Sequence, residues 1–446
     1  MTKQRLKVAW ICHFSNYSVR EHLPIRVNTL ESLLRRMLKK RPKKVSSDFA
    51  PWVTNMAKEF ETVEGIELDI ISPHFGLAVA RHSFACRGIR YHFFKPDTDY
   101  LLVKGFRRLF GIQRPAYRLN RRRISRFVDK IKPDVIVLIG AENPYYSISA
   151  LDISGIPVIL IAQTVYTNPD RQKHSGQVDR YRWDLELEIH RKLKFFSCNA
   201  RIHRDLILRN NPEAIVFRHR FPYIRPRKLD NPFKEYNFVF FAAGVSKKKG
   251  IEDAIQAIGI VKKQYPEVSL DVVGKCDPEH KSSLVEMINK HGVAGNIVFH
   301  EYFPKQSDMH DHIQKARYAL LPVKLDSIPG TIAEAMMLDL PVVSYITSGT
   351  PRLNKYGEAV LLCEINDVEA LAKNMIRVMD EPDLVDRLIS NSRKYVEIEI
   401  DNDRSANNFV RMFYAVYENY HRQVPIPKDL LFDPKEFPIY TREVSI

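Results

Sequence analysis

Leu325-Asp326-Ser327-Ile328-Pro329-Gly330-Thr331-Ile332-Ala333-Glu334-Ala335 follows an apolar run, Tyr318–Pro322, and opens a segment of helical period, Ile332–Leu338. A strand, a short loop and a helix in that order form one half of a parallel βαβ unit. Pro329 and Gly330 suit a tight turn into the helix. The helix start leaves backbone N–H groups free, at Thr331 and Ile332 among others, and these donors with the helix dipole favour an anion. Glu334 lies one turn in, away from the apolar Ile332 and Met336, where a carboxylate can accept hydrogen bonds from a diol. Asp326 precedes the turn and is within reach of sugar hydroxyls. A capped structural helix with solvated acids is the plainer alternative.

Strand and helix patterns alternate on both sides of this stretch. Apolar runs at Phe238–Ala242, Ser269–Val273, Asn296–Phe299, Pro341–Ser344 and Ala359–Leu362 read as strands. Helical periods cover Ile251–Lys263, Pro278–His291, Val368–Met379, Leu384–Tyr395 and Arg404–Tyr420. The first half repeats the pattern, with strands at Leu6–Ile11, Ile66–Ser72, Val135–Ile139, Val158–Ile161 and Phe195–Ser197. Its helices are expected at Ile25–Lys40, Trp52–Val63, Tyr117–Lys132 and Val178–Leu193. Phe75 to Asp99 shows no clear period. Phe221–Phe233 (FPYIRPRKLDNPF) is proline- and arginine-rich and aperiodic, as a linker would be. The expected organisation is therefore an N-terminal α/β domain over 1–222, a linker over 223–235, and a C-terminal α/β domain over 236–403. The last helix and arm, 404–446, are expected to pack back on the first domain.

In open α/β sheets ligands bind beyond the carboxyl ends of the strands. The loop after Phe238–Ala242 reads Ala243-Gly244-Val245-Ser246-Lys247-Lys248-Lys249-Gly250. Small residues let the backbone approach a phosphate, and the lysines act on it as point charges. A solvated turn is the alternative. In the first half, the loop after the first strand holds His13, Ser15 and Asn16. Glu142 and Asn143 follow Val135–Ile139, and Gln163 follows Val158–Ile161. All are candidates for a cleft or for local backbone satisfaction.

The second half resembles the C-terminal domain of the retaining GT-B glycosyltransferases, in the large sucrose-synthase/mannosyltransferase-like family (family 4, group 1). Lys249-Gly250, the strand Leu270-Asp271-Val272-Val273-Gly274, and Asp326 to Glu334 followed by Ala335-Met336 and Pro341-Val342-Val343 carry the resemblance. It implies two Rossmann-like doubly wound domains facing a cleft, and transfer of a sugar from a nucleotide-diphosphate sugar, of UDP or GDP type, with retention. It implies that Lys249 holds the donor diphosphate, Glu334 the ribose, and Asp326 the transferred sugar. The backbone around Pro329, Gly330, Thr331 and Ile332 would cradle the diphosphate, and Tyr302 and Phe303 would contact the base. Two departures stand out. Asp326 replaces the usual glutamate, and Gly244 stands where the family carries an arginine, leaving Lys247 or Lys248 to substitute. The first half lacks the family's cleft histidine, reading Ile161-Ala162-Gln163-Thr164-Val165-Tyr166 instead.

Bulk properties narrow the rest. The chain has 446 residues, 45% hydrophobic and 27% charged, and no uncharged apolar run of about 18 residues, so no membrane-crossing helix is expected. The N-terminus has the wrong pattern for a signal peptide, which leads us to expect a cytoplasmic protein. Five scattered cysteines without a CxxC pair read as buried thiols rather than disulfides or a metal site. Two acid pairs, Asp97-Thr98-Asp99 and Asp401-Asn402-Asp403, could hold a cation, but no metal and no cofactor is expected, because the lysines and the helix start serve the diphosphate. The net charge of +16 is concentrated between Lys104 and Lys132, where Asp129 is the single acid. Arg107, Arg108, Arg121, Arg122 and Arg123 interleave there with Phe106, Leu109, Phe110 and Ile112. Such a patch needs an anionic membrane face, a phosphate-bearing acceptor or nucleic acid as partner, and the interleaved apolar residues suit the membrane; a solvated helix face is the plainer alternative. The expected partners are a nucleotide sugar, a glycan or lipid-linked acceptor and an anionic membrane face, with no nucleic acid. Two alternatives remain open: a non-catalytic basic membrane- or nucleic-acid-associated binding protein on the same fold, and a nucleotide-sugar epimerase.

Overall fold

A computed structural model describes residues 5–26, 37, 51–97, 117–169, 179–300, 303, 305–325, 330–347 and 349–436. The chain divides into two compact units. One comprises Met1–Tyr223 with Asn402–Pro434; the other comprises Ile224–Asp401 with Lys435–Ile446. Residues 437–446 of the expected C-terminal arm, and most of the helix expected at Ile25–Lys40, lie outside the described residues.

The first unit holds β1 (Leu6–Ile11), β2 (Ile66–Pro73), β3 (Arg81–Cys86), β4 (Ile89–Phe94), β5 (Val135–Ile139), β6 (Val158–Ala162), β7 (Phe195–Cys198) and β8 (Ile215–Arg218). They form one sheet in the order β3-β4-β2-β1-β5-β6-β7-β8. Every pairing is parallel except β3 with β4. β5, Val-Ile-Val-Leu-Ile, is buried at every residue, as a parallel strand covered on both faces must be. The stretch that gave no clear period contains β3 and β4. β3 is an edge strand whose exposure alternates, and Arg87 and Gly88 turn the chain with φ of 49° and 78°. Positive φ at both central residues gives the tight hairpin connection whose twist matches the strands.

Helices of this unit are α1 (Tyr17–Arg20), α2 (Pro51–Glu59), α3 (Arg118–Ile131), α4 (Pro144–Ser147), α5 (Arg180–Lys192) and α6 (Arg201–Asn210). The last long helix of the chain, Asn402–Arg422, also belongs here. Its Phe409, Met412, Phe413 and Val416 join the core formed by β1, β2, β5 and α2. Tyr414 donates its hydroxyl to the Gly65 carbonyl at 2.9 Å, just before β2. Asn402 donates to the Tyr223 carbonyl and accepts from the Tyr223 amide, so the Asp401-Asn402-Asp403 pattern starts a helix.

The second unit holds β9 (Tyr236–Val245), β10 (Leu270–Cys276), β11 (Ile297–His300), β12 (Ala316–Leu321), β13 (Val342–Tyr345) and β14 (Val360–Cys363). The order is β11-β10-β9-β12-β13-β14, parallel throughout. This is the doubly wound arrangement in which chain direction across the sheet reverses between β9 and β12, opening a crevice at their carboxyl ends. Its helices are α7 (Ile251–Val261), α8 (Pro278–Lys290), α9 (Gln306–Ile313), α10 (Gly330–Met337), α11 (Val368–Asp380) and α12 (Pro382–Glu399), and Asn402–Arg422 becomes α13. One core lies between the sheet and α7, α8 and α11. The other lies under α9, α10 and α12. α9 and α6 fall where no helix is expected from periodicity.

Candidate functional site

The lysine loop leaves β9 at the switch point of the second unit. Lys247, Lys248 and Lys249 form a short 3₁₀ turn that Gly250 closes with φ of +81°. A Cβ on Gly250 would stand 1.9 Å from the Pro322 carbonyl oxygen, so the glycine is what lets this turn lie against the end of β12. Lys324 donates its backbone N–H to the Lys248 carbonyl at 3.0 Å. The loops after β9 and β12 are thereby tied together, at the place where the sheet topology opens its crevice. A second close approach occurs at Gly274, where a Cβ would lie 2.0 Å from the Ala242 carbonyl oxygen.

Charge in this corner is partly spoken for. Lys324 reaches Asp253 Oδ1 at 2.6 Å, and the Tyr345 hydroxyl donates to Asp253 Oδ2 at 2.8 Å. This brace is buried and unavailable to a ligand. Lys247 stands 3.7 Å from Glu252. Lys247 and Lys248 are exposed, and Lys249 is half-buried. The Ser246 hydroxyl of the same loop is buried without a hydrogen-bond partner, an arrangement that a ligand oxygen would satisfy. A Cβ on Gly244, which stands where the family it resembles carries an arginine, would have no heavy atom within 4 Å.

α10 starts at Gly330, with Thr331 half-buried and Ile332 wholly inside the core. The side chain of Ile332 thus packs, and only its backbone N–H can serve an anion. Glu334 is held from α9: Gln306 donates to its Oε1 at 2.6 Å, and His310 Nε2 lies 3.8 Å from Oε2. Neither Gln306 nor His310 is a candidate from sequence. They stand four residues apart on one helix face, a spacing that signals nothing until the helix itself is known. Phe303 packs against the core beneath α9, its ring 5.0 Å from that of His312. Asp326, Pro329 and Tyr302 lie outside the described residues.

In the first unit the candidates gather at the carboxyl ends of β1, β2, β5 and β6. His13 Nδ1 shares a 2.6 Å hydrogen bond with the Tyr145 hydroxyl, and both rings pack against Phe75. Burial, with repulsion from His74, pushes His13 down to about 4. The imidazole is therefore neutral at pH 7. Ser15 is buried and accepts from Arg20 at 3.2 Å. Asn16 spends its side-chain oxygen on the Val19 N–H at 2.8 Å, capping α1, so that oxygen is structural. The Glu142 carboxylate folds back over Gly140, where a Cβ would stand 2.5 Å from Oε2, and Asn143 donates to Glu142 Oε1 at 3.3 Å. Gln163 is half-buried just past β6. The loop beyond it is fixed from below by buried Glu186, which accepts the Tyr166 and Thr167 N–H groups at 2.8 and 2.7 Å. Tyr145, His74 and Phe75 complete the cluster and were not candidates, because their role depends on strand order.

The basic patch falls on α3. Arg121 is paired with Asp152, and Arg123 with the Lys95 carbonyl, so both are anchored to the fold. Arg122 is exposed, and Arg118 and Arg126 stand one turn either side of it. With Ser125, Arg121 and Asp152 they line an open depression of about 490 Å³. Arg107 and Arg108 lie outside the described residues. Asp97 accepts the Leu119 N–H near the start of α3. No described helix is long and apolar enough to cross a membrane.

Two α/β units, one with a parallel sheet and one parallel but for its edge strand, make a GT-B fold, and structures of that class superpose on the chain. Sucrose-phosphate synthase from Thermosynechococcus elongatus aligns with a TM-score of 0.66 over 93% of this chain and 99% of its own, at 13% identity. Anabaena HepE, solved with UDP and glucose, aligns with a TM-score of 0.61 over 92% and 100%, at 12% identity. Residues 226–395, containing the lysine loop and Glu334, match the model of the family described as glycosyl transferases group 1. Among curated relatives, an uncharacterized glycosyltransferase of Haemophilus influenzae is 25% identical over 146 residues, 32% of this chain and 40% of the relative. The amylovoran biosynthesis glycosyltransferase AmsK of Erwinia amylovora is 28% identical over 172 residues, 36% and 41%. The chain thus spans about two-fifths of the length of these two relatives.

Proposed function

We propose that the protein is a glycosyltransferase that moves a sugar from a nucleoside-diphosphate sugar to a glycan or lipid-linked acceptor. The observation that carries this reading is the lysine turn locked by Gly250 against Pro322 at the switch point of the group 1 unit. The bond to break joins an anomeric carbon to a diphosphate oxygen. As it breaks, negative charge grows on the diphosphate, and Lys249 together with the N–H groups at the start of α10 would stabilise it. Fixed cations and dipoles aimed at developing charge lower the barrier because they need not reorganise. This charge is handled without a metal. Glu334, held by Gln306, would accept the ribose hydroxyls.

Transfer proceeds with retention in this reading. The acceptor oxygen bonds to the anomeric carbon on the face the diphosphate leaves, and its proton passes to a leaving phosphate oxygen. The family resemblance supports this course. Surface-polysaccharide assembly is the cellular setting in this reading; AmsK is named for amylovoran biosynthesis.

Calorimetry with UDP, GDP and their sugar conjugates tests the reading. One nucleotide series should bind at micromolar concentration. Lys249→Ala and Glu334→Ala should each weaken it about tenfold or more, the loss expected for a hydrogen bond to a charged group. Proton NMR of the product should show the anomeric configuration of the donor. Absence of nucleotide binding to the folded protein would eliminate the transferase reading, and an inverted product would eliminate retention.

The exposed arginines of α3 would place the enzyme on an anionic membrane face, at the inner side of the cytoplasmic membrane. Each basic side chain near such a surface contributes about 1 kcal/mol. The triple substitution of Arg118, Arg122 and Arg126 by alanine should therefore lower partitioning onto phosphatidylglycerol-containing liposomes by about a hundredfold. Equal flotation with neutral and anionic vesicles would refute membrane docking.

A further inference from the structure

Asp271 is the second residue of β10, and its carboxylate is buried. Two histidines from other elements converge on it. His312, near the end of α9, places Nε2 2.7 Å from Oδ2; His300, the last residue of β11, places Nε2 3.3 Å from Oδ1. All three donor atoms lie within 4.8 Å of one another. Oδ1 makes no hydrogen bond. The imidazoles sit edge to face with centroids 4.4 Å apart, and the Tyr236 hydroxyl lies 3.4 Å from His300 Nε2. Nearby Lys315 is turned to Glu235 at 2.8 Å. A buried carboxylate is costly unless it is neutralised. The local lysine is thus engaged elsewhere, leaving the two imidazoles facing Asp271.

We propose that Asp271, His300 and His312 bind a divalent transition metal of the zinc type. Zinc bonds to imidazole nitrogen and carboxylate oxygen are about 2.1 Å, which sets ligand atoms about 3.4 Å apart in a tetrahedron. With one carboxylate oxygen and two imidazole nitrogens as the ligands, donor atoms that now lie within 4.8 Å of one another would draw in to that spacing by side-chain rotation. Two imidazoles and one carboxylate suit zinc rather than magnesium or calcium, which take oxygen ligands. Three protein ligands leave a fourth position for water. The metal ties the edge strand β11 to β10 and α9. α9 also carries Gln306 and His310 toward Glu334, so the ion fixes the helix that positions this acid.

The test uses the full-length protein stripped with EDTA and titrated with zinc chloride by calorimetry, and with cobalt(II) by visible absorption. One zinc should bind per chain at micromolar concentration or tighter. His300→Ala and His312→Gln should each weaken binding more than about tenfold. Cobalt should give ligand-field bands without a thiolate charge-transfer band, which separates this site from the cysteines. Melting in EDTA verifies that each variant is folded, and His300, one-third exposed, is the safer of the two. No zinc binding by the wild type, equal binding by both folded variants, or a thiolate spectrum would each overturn the proposal.

Discussion

Gly250→Ala should destabilise the second unit by about 3 kcal/mol or more and abolish nucleotide binding, whereas Gly244→Ala, six residues upstream, should change stability by less than about 0.5 kcal/mol. Gly244 lies near the end of β9 and Gly250 closes the turn that follows it, and their environments differ. Gly250 has φ of +81°, and its missing Cβ would lie 1.9 Å from a backbone oxygen of Pro322. The left-handed conformation alone costs a side-chain-bearing residue about 1–2 kcal/mol. The clash adds more, since neither partner is a flexible side-chain tip: either the end of β12 moves or the lysine turn lifts. Lifting the turn breaks the Lys324 to Lys248 hydrogen bond and carries Lys249 with it. Gly244 has no neighbour within 4 Å of a Cβ. Denaturant titration of both variants, followed by calorimetry with the preferred nucleotide, makes the comparison. Wild-type stability and affinity in Gly250→Ala would show that the turn is not braced this way. Lys249→Ala serves as the contrast, because it should lose affinity while keeping stability.

The parts of this fold legible in the sequence are those whose signal is local. β1 and β5 have the bounds their apolar runs indicate, and α7, α8 and α11 start where their periodicity starts. Parallel strands covered on both faces need continuous apolar residues, and this is hard to mistake. Edge elements lack that signal. β3 alternates and is half-exposed. α9, Gln-Ser-Asp-Met-His-Asp-His-Ile, carries two apolar residues in eight, enough to seat it on the core but too few to show a period. The lysine loop and Glu334 were legible because residue type and position after a strand identify them. Their braces were not. Pro322 lies far along the chain from Gly250, and Gln306 reaches Glu334 from a helix that periodicity did not reveal. The same limit hid the metal cluster, whose three residues sit on three elements and share no motif.

Lowering the pH from 6.5 to 4.5 should unfold the first unit well before it chemically harms the protein. Four buried histidines of this unit are held neutral. Burial pushes His13 and His74 down to about 4, helped by repulsion from His74 and Arg20 respectively. Burial pushes His190 and His219 down to about 3, with repulsion from His203 adding to the latter. A histidine whose folded pKa is depressed takes up its proton more readily when unfolded. Its contribution is therefore complete above about 6.5 and is lost as pH falls toward the folded value. Glu186 opposes this trend: burial raises it to about 7 despite the N–H groups of Tyr166 and Thr167, so protonation on the acid side favours the fold. Four groups against one leave about three protons of difference, or about 4 kcal/mol per pH unit across the window. Two such units approach the whole stability of a typical domain, about 5–15 kcal/mol. The chain's three tryptophans, Trp10, Trp52 and Trp183, all lie in the first unit, so tryptophan fluorescence reports on it selectively. Its denaturant midpoint should fall as the pH is lowered from about 6.5 to about 4.5. A midpoint that holds or rises would mean that these histidines meet solvent or a counter-charge in the folded protein, and that the polar cluster at the carboxyl ends of β1, β2 and β5 is open to protonation.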